Sequence, residues 1–156
     1  MAFGAASKIF SSYITDTLNK TTLMDLNSDT INVALFGNAV VPDPAAASAA
    51  SQYGAGGTWT AANEVTATGW TAGGLALASI ASGFASNVFT FTAANKSGGA
   101  TDTVTNAYGV LIFDNTIASP VAKQAVCYNA FGGAASVVSG TFTVVFNASG
   151  IFTLTL

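Results

Sequence analysis

The side chains that could do chemistry in this chain are few. There are seven carboxylates, Asp16, Asp25, Asp29, Asp43, Glu64, Asp102 and Asp114, a single thiol, Cys127, and no histidine. Without histidine the Ser-His-Asp and Cys-His arrangements of acyl transfer cannot be assembled, and the commonest zinc ligand is missing. One cysteine excludes both a thiolate zinc site and an intrachain disulfide. Hydrolysis by two carboxylates needs a pair of acids held roughly 5 to 10 Å apart. The acids here are spread singly along the chain, so the fold would have to bring an aspartate to Glu64. Asp29, Asp43, Asp102 and Asp114 each stand beside Ser, Pro, Thr or Asn in a predicted loop, where an aspartate ordinarily accepts the N–H groups of a turn. No spaced Asp/Asn/Gly loop of the calcium-binding kind occurs, and "GAGG" at 54–57 lacks the lysine of a phosphate loop. These residues predict no enzyme, no metal and no cofactor.

Two aromatic residues invite a different chemistry. "TWTAANEVTATGW" sets Trp59 and Trp70 on either side of Glu64, as a sugar-stacking platform with a polar anchor would, which is the case for a carbohydrate-binding module. The alternative is a pair of rings sealing the rim of the core, the commoner use of tryptophan. Cys127, inside "VAKQAVCYNAF", reads as a small buried hydrophobe with no base to activate it.

Charge narrows the partners. Only 7% of residues are charged and 51% are hydrophobic, against about 25% charged in an average domain. The cations are Lys8, Lys20, Lys96 and Lys123, arginine is absent, and the net charge is -3. Nucleic acid is therefore not an expected partner, since phosphate binding needs clustered cations. A surface so short of charge is expected to be Thr, Ser, Asn, Ala and Gly, or to be covered by other subunits. No membrane partner is expected, because no apolar run of about 18 residues occurs, and Lys8 with two serines breaks up what would be the core of a signal peptide.

Residues 1–156 read as one β-rich structural domain. Over residues 1–20, Phe3, Ile9, Phe10, Tyr13, Ile14 and Leu18 recur at helical spacing, predicting an amphipathic N-terminal helix whose stripe packs on its own sheet or docks on a partner. "TINVALF" alternates as a strand with Ile31, Val33 and Leu35 on one face. Residues 37–62 form a long Ala/Ser/Gly/Pro loop. Within "NEVTATGWTAGGLALASI", Val65, Ala67 and Gly69 alternate as a strand, Gly73 and Gly74 bend it, and Leu75 and Leu77 resume it. "VFTFT" places Phe89 and Phe91 on one face; "VTNAYGVLIFD" is apolar on both faces and predicts a central buried strand. "VAKQAVCYNAF" returns, "GGAASVVSG" links, and "TFTVVF" with "IFTLTL" closes as a hairpin around "NASG". The fold class is mainly β: an antiparallel β-sandwich or partly closed barrel of about seven to eight strands with one N-terminal amphipathic helix.

The order helix, "VALF" (Val33 to Phe36), a Pro-bearing loop, Glu64 and Val65 opening "GWTAGG" (Gly69 to Gly74), "YGVLIFD" (Tyr108 to Asp114) and the closing "GTFTVVFNASGIFTLTL" resembles small structural proteins of tailed bacteriophages, of the head decoration, minor capsid or tail type. Trp70 stands where Tyr is commoner in that family, and the Ala/Ser insertion at 44–51 and the missing arginines depart from its pattern. The resemblance implies a non-enzymatic cement protein, made in the host cytoplasm and located on the virion, that binds the major capsid protein on the outside of the capsid and stabilises it. It also implies self-association as a homotrimer, and it leaves a tail or fibre protein as the alternative. The candidate partner contacts are Phe3, Ile9, Phe10, Tyr13, Trp59 and Trp70.

Overall fold

A computed structural model describes residues 6–19, 23–54 and 57–155. The fold is mainly β with antiparallel sheets and is not a closed barrel. In chain order the elements are β1 (Lys8–Ile9), α1 (Ser11–Leu18), β2 (Ile31–Phe36), α2 (Ser48–Ser51), β3 (Leu75–Ala76), β4 (Ala81–Ala85), β5 (Val88–Thr92), β6 (Lys96–Ser97), β7 (Asp102–Asp114), β8 (Ala125–Gly140), β9 (Thr143–Val144) and β10 (Phe152–Thr155). They make a five-stranded sheet of order β1-β8-β7-β2-β3, a three-stranded sheet of order β10-β5-β4, and the small pair β6-β9. Among the described residues there are ten strands where seven or eight were expected, because several edge pairings are only two residues long.

The centre is β2 against β7, paired from Ile31↔Asp114 to Phe36↔Gly109. All six residues of β2 are buried, so its alternation does not separate a wet face from a dry one. The register puts Ala34, Phe36, Leu111 and Phe113 on one face and Ile31, Val33, Leu35, Val110 and Ile112 on the other. Covering the first face is the work of the 37–62 segment. Trp59 meets Phe36 edge-on at 4.9 Å, and Tyr53 stacks on Phe113 at 4.6 Å. The segment expected as a long loop is thus a packed cover carrying α2, with Ser51 fully buried. Phe91 and Phe152 of the second sheet, with Tyr13 of α1, stand over the opposite face, and Asn129 Nδ2 ties β8 to the Ile151 carbonyl beside them.

Several expected elements differ. The helix occupies Ser11–Leu18 rather than 1–20; Lys8 and Ile9 pair with Tyr128 and Cys127 as a strand, because edge backbone beside β8 has ladder partners to offer. Residues 1–5 and 20 of that expected helix lie outside the described residues. The strand expected through Val65, Ala67 and Gly69 is a single bridge at Glu64 followed by a tight turn in which Ala67 and Trp70 exchange backbone hydrogen bonds. This turn swings the Trp70 ring into the core, where it is 1% exposed. "GGAASVVSG" continues β8 instead of linking. The final pair is no hairpin: β9 pairs with β6 and β10 with β5, and only Asn147 and Gly150 bridge.

Gly74 shows how closely these layers approach. It sits at φ +67, and a Cβ there would run into the Val33 carbonyl of the central strand. Backbone this close can be made only by glycine. Gly74→Ala is expected to lower unfolding stability by about 2 to 4 kcal/mol, from left-handed strain together with displacement of β2, measured by urea denaturation.

Candidate interaction surface

The carboxylates act as construction. Asp102, fully buried, accepts the N–H of Gly69 at 2.6 Å on one oxygen and that of Gly99 at 2.6 Å on the other, tying two loops to the start of β7. Glu64 accepts the Tyr53 hydroxyl at 2.7 Å and the N–H groups of Gly73 and Gly74 at 3.0 and 3.1 Å. Burial first, and this hydrogen bond second, push the Tyr53 phenol up to about 12. Asp16 accepts from Ser48 Oγ and from Gln124 Nε2 at 2.6 Å, joining α1 to the cover. Asp43 and Asp25 cap their own turns through Ala45 and Asn27.

One pair is brought together by the fold. Asp114 uses Oδ1 to accept the N–H groups of Thr116 and Ile117. Its Oδ2 is buried with no hydrogen-bond partner. Burial first, then the neighbouring Asp29 carboxyl, hold the Asp114 carboxyl up at about 6. Turn duty was the expectation for both residues, and it holds for both: Asp29 Oδ2 accepts the Asp25 N–H at 2.7 Å, and their approach across 85 positions of sequence was not legible, since nothing local joins them. Among the described residues no group of three or more His, Cys, Asp or Glu side chains is placed to hold a metal ion.

The candidate partner contacts divide. Trp59 and Trp70 are core residues: Trp59 is wedged between Phe36, Phe10 and Tyr128, and Trp70 donates Nε1 to the Phe142 carbonyl. Neither offers a ring face to a sugar, which corrects the platform reading. Phe10 and Tyr13 are buried as well, Phe10 edge-on to Tyr128 and Tyr13 against Phe152. Ile9 is half-buried on β1, and Phe3 lies outside the described residues. The helix stripe therefore packs inward through Tyr13. Cys127 is buried and its thiol is pushed up by burial, as expected of a structural hydrophobe.

What remains uncovered is a different set. Ile14, Thr17 and Leu18 of α1, with Phe89 and Leu154, line an apolar groove of about 370 Å³. The register aligns Leu154, Phe89 and Phe84 in one row across β10, β5 and β4. At the ends of this strip Leu18 is 79% and Phe84 58% exposed. Elsewhere Val138, on the outer length of β8, and Val145 are 78% and 70% exposed. Sequence reasoning missed Phe84 and Val138 because "ASGFA" and "GGAASVVSG" carry turn-like composition that hides their strands. Ile14 and Leu18 were legible as members of the helix stripe, and Phe89 through the alternation of "VFTFT".

No family model, curated protein or solved structure matches this chain.

Two outcomes are expected from these contacts. Asp102→Ala leaves the Gly69 and Gly99 donors without an acceptor and should cost about 2 to 4 kcal/mol in thermal or urea unfolding. The Asp114 proton is held in the folded chain above its unfolded value of 3.8, so its contribution is fully present below about pH 4 and is lost as pH rises through about 6. Asp114→Asn removes the titrating carboxyl and is neutral at every pH. The variant should match the parent near pH 4 and exceed it by about 2 kcal/mol at pH 7, read from paired unfolding curves.

Proposed function

We propose that this chain is a non-enzymatic structural subunit of a tailed-phage particle, a head decoration protein that adheres to the outside of the assembled capsid and cements it. The observation that carries this reading is the uncovered apolar strip from Leu18 through Phe89 to Phe84 on a protein with only 7% charged residues. Contiguous apolar surface of this kind marks an interaction site, and scarcity of like charges lets copies and shell subunits approach closely. The carboxylates support it from the other side, since those of Glu64, Asp102 and Asp16 are engaged in holding loops. The major capsid protein is the proposed partner and a homotrimer the proposed state, both resting on the family resemblance. In this reading the heterologous, ring-closing interface of the trimer would cover the strip and leave the threonine-rich outer face of β5 to solvent.

The test combines location and chemistry. Antibody-gold raised against the chain should decorate the heads of purified particles, and stripped capsids should regain heat stability when the protein is added back. Leu18→Asp with Phe84→Asp should leave the unfolding stability of the free protein within about 0.5 kcal/mol for each site, both being exposed, while abolishing that rescue. Gold confined to tails, or stripped heads as heat-stable as decorated ones, would overturn the decoration role.

A further inference from the structure

The apolar strip has two unlike ends. Across the three-stranded sheet the register sets Leu154 of β10, Phe89 of β5 and Phe84 of β4 in one row. α1 lies over the β10 end of that row, with Tyr13 edge-on to Phe152 at 6.3 Å. There Ile14, Thr17 and Leu18, facing Phe89 and Leu154, enclose the groove of about 370 Å³. At the other end the row runs out on the outer strand of the sheet, β4, where the Phe84 side chain is 58% exposed. One end of the strip is therefore a recess and the other an uncovered phenyl ring.

The residues lining the recess carry no charge, so a charged occupant would be buried there without a partner, and an apolar one is favoured. Phe84 has that chemistry and is displayed for it. It stands two residues before the turn Ser86–Asn87, both at positive φ, which closes the β4–β5 hairpin on the pair Ala85↔Val88. β4, "ASGFA", has neither charge nor proline to keep another chain at a distance. A second copy set head to tail carries the row on past β10, and its Phe84 then falls beside Leu154, where the groove opens. We propose that the chain associates with itself in this way, Phe84 of one copy filling the groove between α1 and β10 of the next.

A second copy fits this surface better than an unrelated chain, because ring and recess are matched in chemistry and lie on one molecule. A copy covers both, whereas a foreign partner would have to supply a knob and a groove of its own. Each contact removes from water the Phe84 ring and the Leu18 side chain, 79% exposed in the free chain, and aromatic side chains dominate the energetics of interfaces. The contact is made by side chains instead of by a ladder running the length of β4, since Asn27 Oδ1 already accepts the Ser82 N–H at 2.8 Å. Ring and groove are different surfaces, so the contact is heterologous: each copy offers one of each, and the series ends only by closing into a ring. The inference rests on the subunit reading in expecting the strip to be covered, and it names a second copy as the cover.

The experiment is sedimentation analysis of the full chain over a range of concentrations, with Phe84→Asp and Leu18→Asp made separately and each checked for folding by urea unfolding. The parent should self-associate beyond a dimer. Each variant should weaken that association by roughly 30-fold or more, the loss expected when a central interface side chain is removed. Mixing the two variants is the decisive arm. The first keeps an intact groove and the second an intact ring, so together they should form a one-to-one pair joined by a single sound contact, and nothing larger. A parent that stays monomeric, a parent that stops at a dimer through reciprocal docking, variants that assemble like the parent, or a mixture that stays monomeric overturns the proposal. A chain that assembles as expected but labels no heads fails the decoration role alone, and a monomeric chain that labels heads fails this inference alone.

Discussion

Everything in this fold answers to the burial of β2. A strand with all six residues inside cannot lie on a surface, so two layers must be found for it. One is supplied by the second sheet and α1 through Phe91, Phe152 and Tyr13, the other by the 37–62 cover through Trp59 and Tyr53. Because β7 runs antiparallel beside it with Val110 to Phe113 equally buried, both strands lose water on both faces, and the apolar area removed is the main source of stability. The turn at Gly73 and Gly74 is part of the same demand: only backbone without a side chain can approach Val33 so closely.

Polar groups follow from that burial. Loops pressed against a dry core have N–H groups that water cannot reach, and each must find an acceptor. Asp102 and Glu64 are spent on this, while Asp16 accepts from the Ser48 and Gln124 side chains. A carboxylate that accepts two N–H groups is a strong tether in a low dielectric. Asp29 and Asp114 are the exception. There Asp114 Oδ2 is buried with no hydrogen-bond partner, and burial with the neighbouring Asp29 carboxyl holds the Asp114 carboxyl up at about 6, so this part of the core answers to pH.

The surface has the opposite character. It carries few charges, a row of apolar side chains across β10, β5 and β4, and an edge strand without charge or proline. The residues that create them come from elements with weak sequence signals, short strands rich in Gly, Ser and Ala. Phe84, Phe89 and Leu154 share a face with the buried Phe91 and Phe152, and Phe84 at the end of that row is left exposed.

By itself the sequence determined the mainly β class, the two-sided burial of Tyr108 to Asp114, the inert role of Cys127 and the absence of histidine chemistry, since each rests on residue type or on a period read within a few positions. It also left Trp59 and Trp70 as rim or platform. Only the tertiary structure decided that both rings are core, that 37–62 is a cover, that the last two strands part to different sheets, and that Asp29 neighbours Asp114. The physical reason is the same in each case: sheet pairing and burial join segments far apart in the chain, and a local pattern states which face a residue prefers but not what will stand opposite it.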